Sequence, residues 1–407
     1  MSSQPIDQDF AFDPHDAARA KDFALMDRIR SARPVCRPAD NLVLTTRWAD
    51  TRDAFRDAAR FSSVGDMRAP GVTVPIEESF LGELDAPLHP KIRRILMRGF
   101  TPRNAIAVEG WTRANVRRRL DAFARAGGGD LMKALAIPLP GSVSAHALGI
   151  ADGLHEQVMR WCDELLHSTW PSHGKTERGE GIAGAFPEFA AVLDGLIAER
   201  EAAGEGAPDD LVTTMASARD EDGWRIGAHH IRTLIVNILS GSLSASYMLG
   251  NLAYRFVADA GFQQRLREEP DKIAAAVEES LRLEAPVAFL FRTARQDSEI
   301  GGCPVYRGEH VMLGIAAANR DPAVYPDPGS FRLDRENPAS HLAFGFGPHL
   351  CIGNHLTRMI GRVVLEEMIA RFPAGSLSLV AGFEWRCVAH HLEYGPETLD
   401  LVVEGVR

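Results

Sequence analysis

From Pro90 to about Leu266 apolar residues recur at helical spacing with few pauses, and no stretch of the chain has the composition of a linker between autonomous domains. That run limits the chain to a large, mainly helical body. A Gly- and charge-rich gap, "HGKTERGEGIAG" at 173–184, interrupts it and reads as an exposed connection. Ahead of it, Ala17 to Ala32 predicts a helix and "NLVLTT" a short strand. Residues 62–84, with two prolines and three glycines and little periodicity, read as a long loop of the functional or mobile kind. After it, "DKIAAAVEESLRLE" (271–284) predicts an amphipathic helix stopped by Pro286. A β portion follows in "VAFLFRTARQ" and "SEIGGCPVYRGEHVMLGIAAAN", alternating and punctuated by glycine. A last helix is expected over about 353–372, then a strand-rich tail, "EWRCVAHHLEY…TLDLVV". The expectation is one fold spanning 1–407, mainly α with a minor β portion. Length alone would allow two or three domains.

Composition excludes several classes. The start, "MSSQPIDQDFAFDPHDAARA", lacks the apolar core of a signal peptide. The most apolar stretch, about 231–256, is interrupted by Arg232, Asn237, Gly241 and several serines, too polar for a membrane span. The five cysteines, 36, 162, 303, 351 and 387, are scattered with no C-x-x-C pair, which argues against a disulfide framework and a zinc site. A net charge of −10 argues against a nucleic-acid binder. These features predict a cytoplasmic protein with no membrane and no nucleic-acid partner.

Cys351 stands out within "HLAFGFGPHLCIGNH" (341–355). Glycines 345, 347 and 353 allow tight turns that aim N–H groups at a sulfur, and the helix expected just after adds the positive end of its dipole. A thiolate held this way beside a flat apolar surface suits haem iron, and His349 is spaced to reach a carboxylate on the cofactor rim. A lone cysteine in a Gly-rich turn is more often inert; the length of the pattern decides against that reading. "FGFGPHLCIG" resembles the haem-binding signature of the cytochrome P-450 superfamily, F-G-x-G-x-H-x-C-x-G, at every defined position, including Phe344, Gly345 and Gly353.

Other segments resemble the same family in the expected order. "EESLR" is similar to its E-x-x-R helix, with Glu279 and Arg282 one turn apart on one face. The resemblance implies a structural ion pair completed by a downstream arginine, Arg335 or its rival Arg332. "DAPLHPKIRR" resembles the segment whose His and Arg, here His89 and Arg93, face the haem carboxylates, with Ala86 where a second proline is usual. "FRTARQDSEIGG" resembles the strand whose arginine, here Arg292, is aimed at a propionate. With His349 these make two histidines and two arginines for two carboxylates, a charge-assisted anchor for noncovalent haem b.

"LIVNILSGSLSASYMLGNLAYRF" resembles the long central helix of the family, whose usual motif carries an acid and an alcohol that deliver protons to iron-bound dioxygen. The matching residues are Ser240, Gly241, Ser242, Leu243 and Ser244: the alcohol is kept as Ser244, and the acid has become leucine. Gly241 and the serines suit a bent helix. Ser242 and Ser246 read as packing residues, Ser240 and Ser244 as one cavity-facing stripe. Proton transfer needs a continuous hydrogen-bonded path, so it must run through Ser244 and water, through the substrate, or be bypassed with peroxide.

The resemblance implies a haem-thiolate monooxygenase that inserts one oxygen atom from dioxygen into a small hydrophobic or aromatic substrate. Electrons would come from a separate ferredoxin or similar donor with its reductase. Candidate pocket residues are Val72, Val74, Ile76, Leu239, Leu243, Ser244, Val287 and Leu290, with the tail near His391. Arg94, Arg98, Arg358 and Arg362 are expected to face an acidic ferredoxin, and Arg117 to Arg119 to form a solvated helix face. Two other readings stand beside this one: a peroxide-dependent oxygenase on the same fold, and a non-catalytic haem protein that senses or carries a small gas.

Overall fold

The structure, a computed structural model, describes residues 7–13, 15–65, 68, 72–166, 179–390 and 392–405. The described chain gathers into two compact units. The first draws on Met1–Ser62, Trp111–Ile137 and Ser244–Arg407, the second on Ser63–Gly110 and Pro138–Leu243. Mainly α with a minor β portion, as expected, the described strands all belong to the first unit.

The first unit is built on a five-stranded sheet. Strands β1 (Val35–Ala39), β2 (Leu42–Thr45), β3 (Phe61–Ser62), β5 (Leu290–Ala294) and β8 (His310–Leu313) lie in the order β1-β2-β8-β5-β3. Only β2 and β8 run parallel, Leu42 opposite His310 through Thr45 opposite Leu313. Val43, Leu44, Val311, Met312 and Leu313 are buried, with Leu25 and Ile29 in the same core. Strand β4 (Gly128–Asp130) pairs with β10 (Asp400–Val403), which pairs in turn with β9 (Leu377–Leu379). A Cβ at Gly128 would lie 2.1 Å from the Leu401 carbonyl oxygen, so this ladder requires glycine there. Strands β6 (Ser298–Ile300) and β7 (Cys303–Val305) form a hairpin whose two-residue turn, Gly301-Gly302, has positive φ at both positions.

The helices Ile273–Leu283, Asn354–Arg371 and the part of Ser242–Ala258 from Ser244 onward meet around Gly361 in this unit. A side chain there would lie 3.2 Å from both Met248 and Val277. The second unit packs Leu88–Leu96, Pro138–Ala147, His155–Glu164, Pro187–Ala203, Leu211–Ser217 and Ala228–Ser240. Its long loop is anchored at the far end: Thr233 Oγ1 donates to Glu77 O, Asn237 Oδ1 accepts from Leu81 N, and His230 Nε2 lies 3.2 Å from Ser79 O. A fully buried Arg68–Glu83 pair at 2.6 Å closes the same segment on itself.

Local expectations fail where capping or close contact overrides periodicity. The helix expected over Ala17–Ala32 is two, Ala17–Ala20 and Phe23–Ala32, because Asp16 and Asp22 each cap a new start. "IAAA" (Ile315–Ala318) is a helical turn and not part of a strand; at Gly314 the chain passes so close to Thr45 O that a Cβ would sit 2.4 Å away. The tail forms the single ladder strand β10 and the isolated bridges Val287↔Glu393 and Cys387↔Pro396. The stretch thought too polar to span a membrane lies in Ala228–Ala258, which by length and composition passes that test at mean hydropathy 1.3. Of the apolar window 61% is buried within the protein, as in a core helix.

Candidate active site

Cys351 lies on a turn built by glycines. Gly345 and Gly347 have φ of +69° and +71°, and a Cβ at Gly347 would sit 2.9 Å from the Arg56 Cα. The Cys351 N–H donates to Phe344 O, so that amide shapes the turn. Asn354, first residue of the 18-residue helix Asn354–Arg371, donates from Nδ2 to Cys351 O at 2.7 Å. Cys351 is half-buried, and no described cysteine is in a disulfide. Burial pushes the thiols of Cys36 and Cys162 up to about 12, which keeps both protonated at neutral pH.

A polar relay that the sequence reading missed holds this turn. Arg358, one helical turn beyond Asn354, donates to Asn354 Oδ1 at 2.8 Å and grips Glu278 with two bonds, 2.6 and 3.0 Å. His341 Nε2 meets Glu278 Oε2 at 3.2 Å, and His341 Nδ1 lies 3.2 Å from Ala343 N. Burial alone would raise the Glu278 carboxyl, but its bonds from His341 and Arg358 outweigh it and lower the group to about 2. The Arg358 guanidinium also lies 4.5 Å from the Phe344 ring centre. The only signal in the sequence was the second acid of "EESLR", which has no marker of its own.

Next to Glu278 on the same helix, Glu279 is gripped by Arg282 at 2.7 and 2.8 Å and by Arg335 at 2.8 and 3.0 Å. Arg332 contributes its backbone N–H instead, at 2.9 Å. All five Arg282 donors are used, the others going to Asn319, Pro328 and Ser330 carbonyls. That complete pairing is what makes so buried an ion pair tolerable.

Of the four residues assigned to carboxylates, Arg292 is on β5 and His349 closes the turn Gly347–His349, both in the first unit. The buried Arg292 donates to Phe291 O and lies 5.6 Å from the Phe55 ring centre. His89 and Arg93 share the helix Leu88–Leu96 of the second unit, His89 buried and Arg93 half-buried.

The long helix breaks at Gly241 into Ala228–Ser240 and Ser242–Ala258, and the chain leaves one unit for the other between Leu243 and Ser244. Ser242 Oγ donates back to Leu239 O, within its own stretch of chain, and Ser246 Oγ donates to Ile137 O on another segment. Ser240 spends its proton on Asn237 O, so it has none to offer a cavity. Leu243 and Ser244 are half-buried.

Val72, Val74, Val287 and Leu290 are half-buried and Leu239 fully buried, while Ile76 is 57% exposed. His391 and residues 173–178 lie outside the described residues. One charge expectation changes. Arg358 and Arg362 are paired with Glu278 and Glu366, which removes them as open charges for a docking face. Arg117 and Arg118 are exposed as expected, Arg117 with a bond to Glu367 at the surface, while Arg119 is half-buried and binds Asn115 and Ala134 O.

A glycine-built cysteine turn braced by a buried carboxylate-arginine core defines a haem-thiolate class of site. A family model described as Cytochrome P-450 matches residues 179–376. The steroid C26-monooxygenase of Mycobacterium tuberculosis is 30% identical over 87% of this chain and 92% of its own. The erythromycin C-12 hydroxylase of Saccharopolyspora erythraea is 32% identical over 87% and 88%. A solved mutant of P-450 EryK in complex with erythromycin B superposes with a TM-score of 0.83 at 28% identity, covering 97% of this chain and 99% of that one. The chain belongs to the cytochrome P-450 family and is a haem-thiolate monooxygenase with haem b as cofactor. The residues present fit that group: a soft, half-buried sulfur on a glycine turn, an aromatic residue, Phe344, whose carbonyl accepts from the cysteine's own N–H, and an arginine and a histidine of the same unit for carboxylates.

Proposed function

We propose that Cys351 is the axial ligand, that Arg292, His349, His89 and Arg93 pair with the haem carboxylates, and that the substrate is a small hydrophobic or aromatic molecule. The Cys351 turn, with its glycines and its Asn354–Arg358–Glu278 brace, carries the reading. Bound haem supplies dioxygen activation and the insertion of one oxygen atom into a C–H bond. The chain's part is to hold the sulfur, neutralise the carboxylates and present the substrate. Val72, Val74, Leu239, Val287 and Leu290 are the apolar residues that would line its site, and none brings a charge to recognise a polyanion. That relatives are named for steroid and erythromycin oxidation supports a largely apolar substrate. Both units belong to one functional domain, a reading supported by alignments that run across most of the chain. Electrons come from a separate ferredoxin-type protein in the cytoplasm, with exposed Arg94 and Arg98 as the remaining docking charges.

Ser244 Oγ, at the alcohol's place in the motif, passes a proton by way of water toward the oxygen site. Leu243, an apolar residue at the acid's position, favours a second reading, peroxide-driven oxygenation on the same site. Titrating the ferric protein with a panel of apolar and aromatic compounds, then running hits with a ferredoxin system or with peroxide, separates the two. Product with both reduced cofactor and dioxygen supports the first. Product with peroxide alone replaces it by the second, and spectral shifts confined to polar anions overturn the substrate class.

A further inference from the structure

The break between the first two helices turns Lys21 toward the far end of the chain. Its ammonium donates to three backbone carbonyls, Val388 O at 2.6 Å, His390 O at 2.9 Å and Glu393 O at 2.9 Å. An ammonium has three donors, and all are taken. The accepting residues form the tip of a hairpin closed by the Cys387↔Pro396 bridge, by Val388 N to Gly395 O and by Glu397 N to Arg386 O. Two further contacts join the accepting residues: His390 Nδ1 lies 3.4 Å from Glu393 Oε2, and Glu393 O also accepts from Cys387 Sγ at 3.9 Å. Two residues beyond Lys21, Phe23 packs edge-on against Tyr394 at 5.2 Å. The hairpin in turn grips the segment before β5: Ala288 N donates to Leu392 O, Tyr394 N donates to Pro286 O, and Val287 bridges Glu393.

We propose that Lys21 is a positioning residue for substrate selectivity, holding the hairpin 386–397 and through it Val287 in place. The proposal rests on the reading that Val287 and Leu290 line the substrate site. The physical case is direct. Three charge-assisted bonds converge on carbonyls of Val388, His390 and Glu393 and add to the backbone bonds that tie Leu392 and Tyr394 to Ala288 and Pro286. Without the cation those carbonyls turn to solvent and the tip samples other conformations. Val287 is tied to it by backbone pairing, so its position loosens too. None of the residues assigned to the haem is touched by this clamp.

The test compares wild-type holoenzyme with Lys21→Met, which keeps the apolar stem, and Lys21→Arg, which keeps a cation with several donors. Amide hydrogen exchange should be about tenfold or more faster at 386–397 in Lys21→Met, with the helix 354–371 unchanged. With an apolar substrate that shifts the ferric spectrum, Lys21→Met should change the ratio of oxidised positions severalfold and raise KM, with the carbon monoxide spectrum as in wild type. Lys21→Arg should return the product ratio toward wild type. Unchanged exchange at 386–397 in Lys21→Met overturns the clamp. A looser hairpin with an unaltered product ratio overturns its part in selectivity, as does an identical ratio in Lys21→Arg and Lys21→Met. If wild type binds no apolar compound the substrate reading fails, and with it the selectivity claim, while exchange still judges the clamp. If Lys21→Met yields no holoenzyme, exchange and product ratio in Phe23→Leu, which weakens the second anchor, decide by the same criteria.

Discussion

At Cys351 the chemistry depends on which thiol can become a thiolate. Burial holds Cys36 and Cys162 as thiols, whereas Cys351 is half-buried on a turn that leads into a helix N-terminus. Cys351→His should therefore abolish the red-shifted Soret band of the reduced carbon monoxide complex; an unchanged band in that variant removes the assignment. Ser244 and Leu243 stand at the places where the resembled motif carries its alcohol and its acid, and the proposed relay rests on Ser244. Ser244→Ala should lower product per reduced cofactor consumed, the missing electrons appearing as hydrogen peroxide, while peroxide-driven turnover changes much less. Equal coupling in both proteins would move the relay to the substrate. Both positions were legible in the sequence, since each is a side chain at a fixed offset in a local motif.

Elements hold these residues through contacts that local motifs do not encode. The helix Ile273–Leu283 turns two adjacent acids to different partners: Glu279 to Arg282 and Arg335, Glu278 to Arg358 and His341. Glu278 is held down at about 2, against an ordinary 4.5. A carboxyl lowered by folding stabilises fully above its unfolded value and loses that contribution as pH falls through its folded one. The stability difference between wild type and Glu278→Gln, measured by urea unfolding of the holoprotein, should be constant near neutrality and shrink as pH falls from about 4.5 toward 2. At neutral pH the substitution should cost about 1–3 kcal/mol, because Arg358 keeps its bond to Asn354 but loses a buried partner. A difference that grows on acidification would contradict the assigned ionisation.

For the whole molecule, His89 and Arg93 come from one unit, Arg292 and His349 from the other. Each charged bond to a carboxylate is worth about 1.5–3 kcal/mol. Paired removal, His89→Ala with Arg93→Ala, should thus give mostly apoprotein when challenged with apomyoglobin, and Arg292→Ala with His349→Ala should do likewise. Full haem retention by either double variant would count against that pair. What the sequence alone determined was the helical class, the β minority, the signature turn and the E-x-x-R helix, because periodicity and short motifs act through neighbours on one element. The tertiary structure decided what depends on partners far along the chain. It chose Arg335 over Arg332, closed Arg358 and Arg362 into ion pairs, and tied Lys21 to a hairpin at the opposite end. A charge reads the same in sequence whether it faces water or a buried carboxylate; only the fold brings the carboxylate to it.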